Sequence, residues 1–194
     1  MTVGVLALQG DFHAHCRRLR ELGARAVEVR YARQLDRIQG LVLPGGESTT
    51  NLILLDEERL WGRLAGFSKE RPILGTCAGA ILLAREVTNP SQPSLEAIDM
   101  KVERNAYGRQ VHSSIRSVEP EPAFIERTAP GILEAVFIRA PIIRDVAADA
   151  EILLRDRGDA ILVEQGLHLA ATFHAELTAD TRLHELFLKK VRAA

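Results

Sequence analysis

The chain has 194 residues, 46% of them hydrophobic, and 25 basic against 26 acidic side chains give a formal charge of -1. That length suits one well-buried core, taken here as a single domain over residues 1–194, and the near-neutral balance gives no electrostatic reason to expect nucleic acid or a membrane surface. Two cysteines without metal-type spacing argue against a disulfide framework or a zinc site and fit a reducing cytosol, and no apolar run approaches the roughly 20 residues that span a bilayer.

Residues 3–8 follow the first methionine with no basic segment and no small-residue cleavage site, so they read as a core strand rather than a signal peptide. Next comes an amphipathic helix, with Asp11 as candidate N-cap and Phe12, Cys16, Leu19 and Leu22 on one face, which makes Cys16 a core residue. Residues 26–29, 41–43 and 73–74 are again short and continuously apolar, as strands buried on both faces are. Strands alternating with helices predict right-handed crossovers and an α/β fold of three layers, α/β/α, around a mostly parallel central sheet. The second half differs. Residues 89–93 read as a loop, and 100–103, 115–118, 135–138, 151–154, 160–163 and 167–172 as strands, some of them antiparallel additions. Gly158 and Asp159 suit a hairpin turn, and a last helix from about residue 180 carries Leu183, Leu186, Phe187 and Val191 on one stripe.

Three segments carry chemistry. Gly75-Thr76-Cys77-Ala78-Gly79, entered from an apolar strand and followed by a helix, is the thiol form of the nucleophile elbow, whose glycines permit a turn too crowded for side chains. A cysteine there meets the N–H groups and dipole of a helix N-terminus, which favour negative charge. By itself the elbow leaves a structural buried cysteine about as credible as a nucleophile. Phe173-His174-Ala175-Glu176 ends the last strand, and in extended backbone His174 and Glu176 point to one side, the orienting pair that a catalytic cysteine needs. Pro44-Gly45-Gly46-Glu47-Ser48 follows a buried strand and puts unshielded backbone N–H groups at the carboxyl end of the sheet. The N–H groups of Gly46 and Ala78 would suit an oxyanion hole, against the plainer reading of a strand-to-helix turn with Ser48 as N-cap.

Leu43-Pro44-Gly45-Gly46-Glu47-Ser48-Thr49-Thr50, the elbow and Phe173-His174-x-Glu176 together resemble the class I, triad-type glutamine amidotransferases. Three further segments sharpen the match: Val5-Leu6-Ala7-Leu8-Gln9-Gly10, Glu103-Arg104-Asn105-Ala106-Tyr107-Gly108-Arg109-Gln110 and Phe137-Ile138-Arg139-Ala140-Pro141. They are similar to the glutaminase subunits of pyridoxal 5′-phosphate synthases, and the similarity runs over essentially the whole chain.

The resemblance implies a flavodoxin-like amidotransferase fold and the roles of nucleophile for Cys77 and of its triad partners for His174 and Glu176. It implies that Gly46, Glu47 and Ser48 line the glutamine site, that Arg104, Ile138 and Arg139 occupy the remaining glutamine-binding positions, and that Gln9 lies near the oxyanion region. Physically, an arginine fork matches the carboxylate of a free amino acid. The implied reaction is hydrolysis of L-glutamine to glutamate and ammonia, with no cofactor in this subunit. The ammonia passes to a separate synthase subunit that builds pyridoxal 5′-phosphate from a pentose phosphate and a triose phosphate. Ala175 departs from the pattern, which usually has proline there; alanine removes a restraint on the aim of His174. Two alternatives stay open: service to another synthase, such as that of histidine biosynthesis, and a non-catalytic glutamine-sensing scaffold.

Overall fold

The computed structural model describes residues 1–105 and 113–194. In chain order the first half runs β1 (Thr2–Leu6), α1 (Phe12–Glu21), β2 (Arg25–Val29), β3 (Gly40–Leu43), α2 (Ser48–Glu57), α3 (Trp61–Glu70), β4 (Ile73–Thr76) and α4 (Ala78–Leu83). The second half runs β5 (Ala84–Thr88), β6 (Ile98–Glu103), β7 (Ser113–Val118), α5 (Pro122–Arg127), β8 (Leu133–Ile138), β9 (Ile142–Val146), β10 (Glu151–Asp156), β11 (Asp159–Gln165), β12 (His168–Ala171) and α6 (Arg182–Ala193). No helix among the described residues is long and apolar enough to cross a membrane.

The main sheet has the order β2-β1-β3-β4-β12-β11-β9-β6-β5, with β10 paired to β11. It is parallel from β2 to β12, and beyond β12 the pairings turn antiparallel until β5 joins β6 in parallel. The continuous apolar runs explain the parallel part, because alternate side chains serve opposite faces. Val3, Val5, Val42 and Leu74 pack with Leu19 of α1 and Leu186 and Phe187 of α6. Leu6, Leu41, Leu43 and Ile73 pack on the other face with Leu55 of α2 and Leu64 and Phe67 of α3. Each such side chain contributes about 1.5–3 kcal/mol on burial, so both helical layers are held by comparable apolar contact. The three-layer α/β/α arrangement with antiparallel additions is the predicted one.

Three details differ from the sequence reading. β5 has only Ala84 and Val87 buried and forms the sheet edge, where one apolar face suffices, and so its polar sequence gave no strand signal. β9 carries exposed Arg144 and Asp145 directly after two buried isoleucines, too short a signal to stand out. The β10–β11 hairpin turns on Arg157 and Gly158, one residue earlier than expected; both have positive φ, 52° and 93°, and Asp156 pairs with Asp159 across a two-residue loop.

Candidate functional site

The site forms where β1, β3, β4 and β12 end, at the carboxyl edge of the parallel strands. β4 delivers the chain to Cys77, whose φ of 49° and ψ of -104° lie where a side chain is normally refused, a conformation costing about 1–3 kcal/mol. The neighbouring glycines make it possible. A Cβ on Gly79 would stand 2.0 Å from the Leu43 carbonyl oxygen, and one on Gly75 would stand 2.5 Å from the Gly79 backbone. Gly79 is therefore required by the packing of the elbow against β3, and Gly75 by the packing of β4 against α4. The Cys77 N–H donates to the Ala171 carbonyl at 2.8 Å, which ties the elbow to the end of β12. Ala78 opens α4, and the first N–H groups of a helix have no intrahelical acceptor.

β12 lies parallel to β4 with Ala171 opposite Thr76, so a residue three further on arrives beside the elbow. That residue is His174, fixed by its N–H donating to the Val136 carbonyl at 2.8 Å. Its Nδ1 stands 2.7 Å from Oε1 of Glu176, and the Cys77 side chain is close enough to influence the charge of its ring. With Nδ1 occupied, Nε2 is the nitrogen left for the sulfur. The backbone here is not the extended one expected: residues Ala175–Leu177 form a 3-10 turn and His174 sits just before it, with φ -98° and ψ 87°. The two side chains meet because Glu176 folds back under the imidazole from inside that turn. Ala175 is the first residue of the turn, where proline is tolerated. Burial works against a charged His174, but the hydrogen bonds and charges of Cys77 and Glu176 prevail and raise its pKa to about 10. For Glu176, fully buried, desolvation pushes the pKa up, yet His15 and His174 outweigh it and the net shift is downward.

In front of this pair lies a cleft of about 350 Å³, within the small-ligand range. Gly46, Glu47, Ser48, Cys77, Arg104, Ile138, Arg139 and His174, all singled out from sequence, line it together, and so does Gln9. Ala78 and Glu176 stand behind the lining residues. Gly45 admits the imidazole: a Cβ there would meet His174 Cε1 at 2.3 Å. Gly46 has φ 139°, and the Gln9 amide clamps the residue after it, Nε2 donating to the Glu47 carbonyl at 2.8 Å and Oε1 accepting from the Glu47 N–H at 3.2 Å. Glu47, rather than Ser48, caps α2 by accepting from the N–H groups of Thr49 at 3.1 Å and Thr50 at 2.6 Å. Desolvation raises the Glu47 pKa, and these bonds more than reverse it. The Ser48 hydroxyl instead donates to Gln92 Oε1 at 3.0 Å, and so the loop before β6 reaches the site. Arg104 is buried, with Nη2 donating to Thr49 Oγ1 at 2.8 Å and to Glu47 Oε1 at 3.3 Å. Arg139 is exposed at the rim and holds a left-handed φ of 46°. Ala106, Tyr107, Gly108, Arg109 and Gln110 of the discriminating segment lie outside the described residues.

The sequence reading missed His15 and His184, both wholly buried under Glu176. Burial lowers the pKa of each, to about 3 for His184. The only signal was position: His15 falls on the apolar stripe of α1 and His184 on that of α6, where an imidazole needs a polar partner from elsewhere.

The model of the SNO glutamine amidotransferase family matches residues 5–193. The pyridoxal 5′-phosphate synthase subunit PdxT of Solibacter usitatus (strain Ellin6076) is 57% identical over 97% of this chain and 98% of its own length. The protein of the same description from Koribacter versatilis (strain Ellin345) is 52% identical over 99% and 96%. A crystal structure described as a glutamine amidotransferase superposes with a TM-score of 0.88 at 43% identity, covering 98% of both chains. A putative GMP synthase component from Thermoplasma acidophilum, at 21% identity and a TM-score of 0.71 over 100% of this chain and 94% of its own, shares the fold. With a buried cysteine, histidine and glutamate aligned at the sheet edge and a family match that spans nearly all of its length, the chain belongs to the SNO glutamine amidotransferase family.

Proposed function

We infer that the chain is a single glutaminase domain over residues 1–194, working in the cytoplasm as the ammonia-producing subunit of a pyridoxal 5′-phosphate synthase. The observation that carries the reading is the line Cys77–His174–Glu176, with a 2.7 Å contact between imidazole and carboxylate, opening onto a cleft that contains Arg104. The relatives named above, described as subunits of that synthase, support the choice of partner.

Glutamine enters with its carboxamide toward Cys77 and its α-carboxylate toward Arg104 and Arg139, while Gly46, Glu47, Ser48 and Ile138 form the walls. The Cys77 sulfur attacks the carboxamide carbon, and the N–H groups of Gly46 and Ala78 take the developing oxyanion. His174, protonated and held by Glu176, gives its proton to the departing ammonia, leaving a thioester. The neutral imidazole then takes a proton from water as the water oxygen attacks the thioester carbon, the C–S bond breaks, and glutamate leaves with the Cys77 thiolate and the protonated imidazole restored for the next cycle. Ammonia passes to the synthase subunit.

The test is glutamate release by the purified chain with and without a pyridoxal 5′-phosphate synthase partner, beside the Cys77→Ala variant. Release that depends on Cys77 and rises with the partner is the expected result. Equal release by Cys77→Ala refutes the nucleophile, and indifference to the partner refutes the assignment to this synthase.

A further inference from the structure

Beneath Glu176 lies a second polar chain that the mechanism above leaves unused. His15 Nε2 stands 3.2 Å from Glu176 Oε2 and 3.1 Å from Thr76 Oγ1, and His15 Nδ1 stands 3.0 Å from His184 Nε2. All four side chains are fully buried, and neither histidine lines the cleft. His184 Nδ1 has no hydrogen-bond partner among the described residues.

A neutral imidazole has one N–H and one bare nitrogen, and a buried N–H without an acceptor is costlier than an idle lone pair, which favours a bare His184 Nδ1 with the proton on Nε2, donating to His15 Nδ1. His15 must then carry its own proton on Nε2, facing Glu176 Oε2 and Thr76 Oγ1 as a shared donor. Thr76 is the aligned hydrogen-bond partner, whereas Glu176 Oε2 makes no hydrogen bond with any described residue and has the His15 Nε2 at 3.2 Å as a charge contact. We propose that His15, oriented by His184, is a positioning residue for the glutaminase reaction: its Nε2–H holds the second oxygen of Glu176, so that the first stays aimed at His174 Nδ1. The inference rests on the functional reading above.

Without that donor, a buried carboxylate turns or takes up a proton, and a protonated Glu176 cannot support the imidazolium of His174. The groups facing His15 are Glu176 and His174 from the chain after β12, Asp11 at the start of its own helix, and His184 from α6; Arg18 stands near His184. Burial outweighs the attraction of Glu176 and Asp11 and keeps His15 neutral.

The experiment has two readouts. First, ¹⁵N spectra of histidine-labelled full-length wild-type chain near neutral pH give the tautomers directly; Nε2–H for both His15 and His184 is expected, and a bare Nε2 on His15 overturns the proposal. Second, His15→Leu and His15→Gln are assayed with the synthase present. The leucine variant is expected to lose about 10–100-fold in kcat, with KM for glutamine within about twofold and the acid limb of kcat/KM moved to higher pH. The glutamine variant, which keeps an amide donor near the same place, is expected to restore most of kcat and return the limb. A folded leucine variant with wild-type kcat and an unmoved limb overturns the proposal, and so does a folded glutamine variant that fails to move kcat and limb back toward wild type. If the leucine variant does not fold, the spectra and the glutamine variant decide. Failure of the functional reading is seen separately, as wild-type chain that releases no glutamate.

Discussion

Glu176 separates two groups of buried imidazoles that end in opposite protonation states. On the cleft side, His174 keeps a proton up to a pKa of about 10; on the core side, His184 gives its proton up until about 3, and His15 is shifted in the same direction. Burial pushes all three down. What differs is contact: His174 faces acceptors through both ring nitrogens, the Glu176 carboxylate and the Cys77 sulfur, whereas His184 meets another neutral ring. A buried histidine is thus made cationic or neutral by its partners, and one carboxylate serves as the boundary.

The strongest way to break this contrast is to remove the boundary charge. Glu176→Gln is expected to lower kcat by about 10²–10⁴-fold and to bring the His174 pKa down, read by glutaminase assay and by NMR titration of the imidazole. A stability effect accompanies it. Because the folded pKa of His174 is raised from 6.5 to about 10, its contribution is complete below 6.5 and is lost as pH climbs through about 10. Wild-type Tm should therefore decline between those values, and the decline should flatten in Glu176→Gln.

The core side predicts a smaller effect at the opposite end of the scale. His184, with its pKa lowered from 6.5 to about 3, takes up a proton on unfolding, so its neutral burial stabilises the fold above 6.5 and progressively less as pH falls toward 3. Each such group contributes roughly 1.4 kcal/mol per pH unit in that window. His184→Gln should show a shallower fall of Tm between pH 6.5 and 4 than wild type; an identical slope would mean that His184 is protonated in the folded state.

The smallest expected effect concerns how tightly the turn holds His174. Ala175→Pro should fold normally, leave kcat within about twofold and stabilise by up to about 1 kcal/mol, because the first residue of a 3-10 turn suits the φ of proline. A large loss of kcat in a folded variant would show that the Ala175 N–H or its freedom of φ is used.

Much of this was legible in the sequence, and the exceptions share a cause. β1, β3 and β4 announce themselves because burial on both faces demands uninterrupted apolar residues, and the elbow because its backbone admits only glycine at two places. The cleft residues were readable as short motifs that β3, β4, β8 and β12 bring to one edge. His15 and His184 were not, since helical periodicity reports which face a residue lies on and says nothing of a partner 169 positions away. The plainer alternative of Ser48 as the cap of α2 fails for a related reason: Ser48 and Glu47 are both suited to the end of a helix, and the competing attraction of Gln92 for the serine hydroxyl comes from a loop 44 residues distant.

The hydrogen bond from the Cys77 N–H to the Ala171 carbonyl bears on how the site moves. It extends the β4–β12 ladder by one rung, so the sulfur-bearing residue and the strand that leads to His174 share a single hydrogen-bonded frame. Thermal displacements of the two should consequently be correlated, with the gap between sulfur and imidazole fluctuating far less than either atom's position. Arg139 stands exposed at the rim of the cleft, while the reacting pair follows two strands that are buried along their whole length.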